Sequence, residues 1–169
     1  VQDTMYQNTL KQFIQSCLSK YLYKSYFDKF WGVGISQTKF AKRIGFVLEQ
    51  CERLRDKVFK NLNEGYFPLI LSGDHSSSIG TMAAIHKHLM GNDFGVIWID
   101  AHADLHTPFT TPSGNVHGMP LAAALGSTNP LNKVNEVDNY TLSNWNKLTK
   151  LGFSYPILRS KNLVYLGLR

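Results

Sequence analysis

Two short, unbroken apolar runs constrain this chain more than any other feature, because each stops abruptly at a cluster of acids and histidines. Residues 66–72 read Tyr-Phe-Pro-Leu-Ile-Leu-Ser and residues 94–99 read Phe-Gly-Val-Ile-Trp-Ile; residues 163–168 supply a third run of the same kind. A continuous apolar run of about four to eight residues suits a strand buried on both faces, which occurs in parallel sheets covered by helices. Helical patterns separate the runs. Between residues 39 and 64, Ile44, Val47, Leu48, Cys51, Leu54, Val58 and Leu62 recur at steps of three and four, and Gly65 suits the helix end. Residues 77–90, 118–125 and a stretch near 141–150 read as further helices, and residues 4–30 as one or two more, broken by Gly32-Val33-Gly34. Helix alternating with strand predicts an α/β fold: a three-layer αβα domain with a mostly parallel sheet, spanning residues 1–169 without an internal repeat. Right-handed crossovers place all strand C-termini on one edge, and ligands bind beyond that edge.

The polar clusters begin at that edge. Gly73-Asp74-His75 follows the first run and Asp100-Ala101-His102-Ala103-Asp104 follows the second. All six histidines, at 75, 86, 88, 102, 106 and 117, fall in this part of the chain. In an extended segment alternate side chains point the same way, so Asp100, His102 and Asp104 are expected to converge, with His75 reaching them from the neighbouring strand end. Two adjacent carboxylates resist ionising together, and a divalent cation removes that penalty. The set is imidazole and carboxylate with no thiolate, which suits Mn, Fe or Co rather than structural zinc. A carboxylate such as Asp100 has two oxygens and can bridge two ions, which together activate a water. His117, in the turn Ser113-Gly114-Asn115-Val116-His117-Gly118, has the intrinsic basicity to move a proton near neutrality. Asp74 reads as a residue that orients a loop or ligand, Ser76–Ser78 as helix caps, and His86 and His88 as packing or surface residues.

Composition narrows the remaining classes. Apolar residues make up 43% and charged residues 18%, a globular balance. The net charge is +6, and residues 1–64 carry most of it, with 11 Lys and Arg against 6 Asp and Glu. No aromatic-interleaved basic stripe accompanies the excess, which reads as solvated helix faces and not as a nucleic-acid surface. The apolar runs fall far short of the roughly 18 residues of a membrane span. No G-x-S-x-G elbow and no phosphate-binding P-loop is present. Cys17 and Cys51 form no C-x-x-C pair and read as small core hydrophobes; with no visible secretory signal, a cytoplasmic protein is expected.

Gly73-Asp74-His75-Ser76, Asp100-Ala101-His102-Ala103-Asp104 and Ser113-Gly114-Asn115-Val116-His117-Gly118-Met119-Pro120, in that order, resemble the signatures of the arginase/agmatinase (ureohydrolase) family. The stretch Thr110-Thr111-Pro112-Ser113-Gly114-Asn115 is closer to arginases than to agmatinases. The resemblance is densest over residues 66–125 and returns at 162–169. It implies two manganese ions, one held by His75, Asp100 and Asp104 and the other by Asp100 and His102, with Asp100 bridging. It implies His117 as proton shuttle, and His106, Thr111 and Ser113 as contacts to the amino-acid end of the substrate. The implied reaction hydrolyses the guanidinium of L-arginine to L-ornithine and urea. Homo-oligomers, trimers or hexamers, are implied as well.

Two departures from the pattern stand out. His106 occupies a position where arginases usually carry Asn. The family pattern also continues beyond a strand like 163–168 into a second acidic metal motif and a guanidinium-binding Glu, whereas this sequence ends at Arg169. The expectation is therefore an N-terminal part of an arginase-like chain, inactive by itself. The alternatives are another ureohydrolase, such as agmatinase or formiminoglutamase, and a non-catalytic metal-binding subunit of the same fold.

Overall fold

The computed structural model describes residues 38–128 and 130–169, all within one unit, Gln37–Arg169. The helices expected over residues 4–30, the Gly32–Gly34 turn and Cys17 lie outside the described residues. In chain order the described elements are α1 (Ile44–Asn63), α2 (Ser78–His88), β1 (Val96–Ile99), α3 (Pro120–Ala124), α4 (Asn139–Leu148) and β2 (Leu163–Leu166). Short 3-10 turns cover His75–Ser77, Val116–Gly118, Pro130–Asn132 and Ser160–Asn162.

Each helix forms where the apolar spacing predicts it, within two residues at its ends except at the start of α1, which begins at Ile44 and not at residue 39. The α1 stripe buries Ile44, Leu48, Cys51 and Val58, and α2 turns Ile79, Gly80, Met82, Ala83, Ala84 and His86 inward. Fully burying one such aliphatic side chain contributes about 1.5–3 kcal/mol. The helices meet closely at Gly80, where a Cβ would stand 2.5 Å from the Cys51 carbonyl oxygen. Burial pushes the Cys51 thiol up to about 12, so it packs as a neutral hydrophobe, as the sequence suggests. Pro120 opens α3, where its missing N–H costs nothing, and the Asp138 carboxylate caps α4 by accepting from the Thr141 N–H at 2.8 Å.

The strands β1 and β2 pair in parallel, with Val96 opposite Leu163 and Ile99 opposite Leu166. Alternation then divides the sheet. Val96, Trp98, Leu163 and Tyr165 pack against the helical core, whereas Ile97, Ile99, Val164 and Leu166 are exposed on the other face. The described residues thus supply a helical layer on one face of the sheet.

Residues 66–72 do not form the expected strand. A strand exists only through a pairing partner, and Pro68 has no N–H to offer one. Phe67, Leu69 and Leu71 stay exposed, and Ile70 and Ser72 face β1 across a cleft of about 470 Å³ instead of bonding to it. Periodicity reports burial potential, and here no partner strand among the described residues realises it.

Two outcomes follow from this packing. Gly80→Ala should destabilise the protein by about 1–3 kcal/mol, read from the urea midpoint, because its methyl meets backbone on α1. His86 is buried beside Phe94 and Gly152, and burial holds its imidazole below the usual histidine range. The unfolded chain therefore takes up the proton first, so stability is complete above about pH 6.5 and falls as the pH drops toward the folded value. Thermal melts from pH 7.5 to 5 should show this decline, and His86→Leu should flatten it.

Candidate metal centre

The site is assembled at the C-terminal end of β1 and the N-terminal end of α2. Asp74 accepts a hydrogen bond from the Ser76 N–H at 2.8 Å, capping the turn His75–Ser77 that leads into α2. The three serines play a smaller part than expected. Ser77, at the start of α2, makes no side-chain cap; its hydroxyl donates to the Asp74 carbonyl and that of Ser78 to the His75 carbonyl. Those contacts fix the turn that carries His75, whose ring stands edge-on to Trp98 with centroids 5.2 Å apart.

β1 ends at Ile99 and delivers Asp100 directly. The Asp100 N–H donates to the Leu166 carbonyl, so the ladder with β2 extends to the ligand residue itself. The Asp100 carboxylate accepts from the His102 N–H at 3.0 Å, and this bond, with the neighbouring His75, holds its carboxyl below the usual carboxylate range. Asp104 arrives by a different route from the one its spacing suggests. The extended run has already ended in a bend at residues 101–102, and Asp104 itself has φ 50, a left-handed conformation in which its carboxylate reaches His75. Its carbonyl accepts from the Leu121 and Ala122 N–H groups at the start of α3, and its side chain is buried.

His75 Nδ1 lies 2.8 Å from Asp100 Oδ2 and 3.0 Å from Asp104 Oδ2. These are the three ligand atoms that converge, all within 4.8 Å of one another. One imidazole nitrogen carries at most one hydrogen, so it cannot serve both oxygens as a neutral donor. Two carboxylates and an imidazole lone pair directed at one point fit a divalent cation of the Mn, Fe or Co type. His102 departs from the expected trio. Its Nδ1 is 3.3 Å from Asp100 Oδ1, but its side chain is 82% exposed and it does not join the other three. The backbone bends at residues 101–102, where the His102 N–H closes onto the Asp100 carboxylate, so the extended geometry that would have aligned all three residues is lost before Asp104.

A cleft of about 820 Å³ adjoins the cluster and shares Asp104 with it, and the exposed His102 lines the same cleft. His106, Thr111, Ser113 and His117 line this cleft, so the structure gathers every residue singled out as substrate-contacting or proton-shuttling. Their roles in the scaffold differ. His106 and His117 are exposed; Thr111 is buried, and its hydroxyl accepts from the Gly114 N–H at 3.0 Å. Ser113 accepts from the Asn115 N–H. Gly114 has φ 74 and lies so close to the Lys39 carbonyl that no side chain fits, while its own carbonyl accepts from the Lys42 N–H at 2.7 Å. The loop bearing His117 is thereby pinned to the segment that leads into α1.

Sequence reasoning overlooked three residues here: Trp98 against His75, Tyr165 whose hydroxyl donates to the Ala103 carbonyl at 2.7 Å, and Arg169 in the cleft wall. The inward alternation of β1 and β2 was the available signal, since Trp98 and Tyr165 are register partners facing the core.

Comparison with known proteins adds an independent line of evidence. A sequence model of the arginase family matches residues 28–169. The arginase of Brevibacillus brevis is 39% identical over 134 residues, covering 79% of this chain and 39% of that protein. The arginase of Bacillus subtilis is 54% identical over 92 residues, covering 54% of this chain and 30% of that protein. Among solved structures, the native arginase of Bacillus caldovelox superposes with a TM-score of 0.65 at 37% identity, over 81% of this chain and 40% of that one. The chain spans about two fifths of the length of these relatives or less.

Proposed function

The chain belongs to the arginase family, and from that premise we propose that it forms part of a manganese-dependent hydrolase that cleaves the guanidinium of L-arginine to L-ornithine and urea. The convergence of His75, Asp100 and Asp104 within 4.8 Å carries the reading, because three such ligand atoms at a strand end beside an open cleft are what a metal hydrolase requires. His75, Asp100 and Asp104 would hold one ion, and Asp100 with His102 a second. When bound, the metal pair supplies positive charge and a water activated at neutral pH.

The chain's own residues do the rest. The cleft lined by His106, Thr111 and Ser113 would receive the amino-acid end of the substrate, with the guanidinium directed toward Asp104. Ser113 presents an exposed hydroxyl and His106 an exposed imidazole, both suited to a carboxylate. Thr111 shapes this wall through its bond to Gly114. An amine leaves poorly as an anion, so a proton must reach the departing nitrogen. His117 stands on the cleft wall and would deliver it. A cytoplasmic setting and a homo-oligomer accompany this reading through the family; among the described residues, no helix is long and apolar enough to cross a membrane.

The experiment is a urea-release assay on a chain as long as the relatives, with manganese, comparing arginine with agmatine. Arginine should be preferred; a clear preference for agmatine would move the protein to another ureohydrolase class. In the same assay Asp104→Asn should weaken manganese binding and lower turnover by orders of magnitude. His117→Asn should lower turnover with manganese retained, and loss of metal from that variant would make His117 a ligand.

A further inference from the structure

Asp104 is the ligand whose placement is least explained by its sequence neighbours. A left-handed backbone is disfavoured for most residues that carry a Cβ, with Asp among the more tolerant, and Asp104 adopts one while buried. Its φ and ψ are set by the two peptide planes that flank its Cα. The plane on the C-terminal side is held through the Asp104 carbonyl, which accepts from the Leu121 and Ala122 N–H groups at 3.2 and 3.4 Å. The plane on the N-terminal side carries the Ala103 carbonyl, and there the Tyr165 hydroxyl donates at 2.7 Å from 62 residues away. Tyr165 projects from the inward face of β2, directly paired with Trp98 of β1, so a rigid sheet element anchors this second clamp.

We propose that Tyr165 is a positioning residue for the metal centre: through the Ala103 carbonyl its hydroxyl holds Asp104 in the left-handed conformation that brings the carboxylate to His75. The proposal rests on the metal reading of the His75–Asp100–Asp104 cluster. It differs from a plain stabilising role, in which the hydroxyl would only satisfy a half-buried carbonyl.

Tyr165→Phe keeps the ring and removes the clamp. The 169-residue chain is titrated with Mn²⁺, following free Mn²⁺ by electron paramagnetic resonance, and metal-free exchange of the Leu121 and Ala122 amides is followed by NMR. Loss of a group that orients a ligand weakens metal affinity about 10- to 100-fold, and that is the shift expected for Tyr165→Phe, with faster exchange at both amides. In an Asp104→Asn background the same change should have no further effect on affinity. Leu163→Ala, on the same face of β2, is the packing control: it should lower the unfolding midpoint and leave the affinity of the folded protein unchanged. Unaltered affinity in Tyr165→Phe, an equal loss in the Asp104→Asn background, or unmoved amides would each overturn the proposal. A parent chain that binds no Mn²⁺ would instead refute the metal reading, while the amide exchange still decides whether Tyr165 holds Asp104.

Discussion

Bringing two carboxylates and an imidazole nitrogen within 4.8 Å is the constraint on which this structure turns. Carboxylates at such range repel, the more strongly the less polar their surroundings, and a chain left to itself would let them separate. The fold prevents this by drawing the three groups from different places. Asp100 comes from a strand end hydrogen-bonded to β2, His75 from a capped turn ahead of α2, and Asp104 from a left-handed turn whose carbonyl is held by α3. Each support is specific, two of them reach across the chain to β2 and α3, and none is a contact among the ligands themselves.

Arranged this way, His75 and Asp100 stand at the ends of regular elements, while Asp104 and the cleft beside it belong to loop. That division matches what each part must do. A cation tolerates little error in ligand position, so rigid supports serve it; a polar substrate needs several directed groups, which a long loop supplies. The loop is not free, however. Gly114 packs against the Lys39 carbonyl where no side chain would fit, and the Thr111 hydroxyl closes the turn from within. These contacts turn an irregular segment into a wall of fixed shape.

Much of this was legible in the residues. The stripe from Ile44 to Val58 foretold α1, and the acid–histidine clusters after the apolar runs located the centre. What stayed hidden depended on long-range pairing or on one backbone angle. The run at 66–72 has strand composition, yet strand formation requires a neighbour that composition cannot name. Period-two alternation placed His102 with Asp100 and Asp104, and the bend at residues 101–102 cancelled it. Tyr165 lies 62 residues from the carbonyl it holds, and no local pattern could link them.

The exposed face of the sheet bears on how far the centre depends on the rest of the molecule. A two-stranded ribbon of four paired residues is marginal by itself in water. Here its stability comes from Val96, Trp98, Leu163 and Tyr165, which lean on the buried cluster formed by the helices. Ile97, Ile99, Val164 and Leu166 add nothing to that support while they face outward. Trp98 and Tyr165 are also the sheet residues whose side chains reach the ligand segments, one at the His75 ring and the other at the Ala103 carbonyl. The face that holds the sheet to the helices is therefore also the face whose side chains reach the ligand segments.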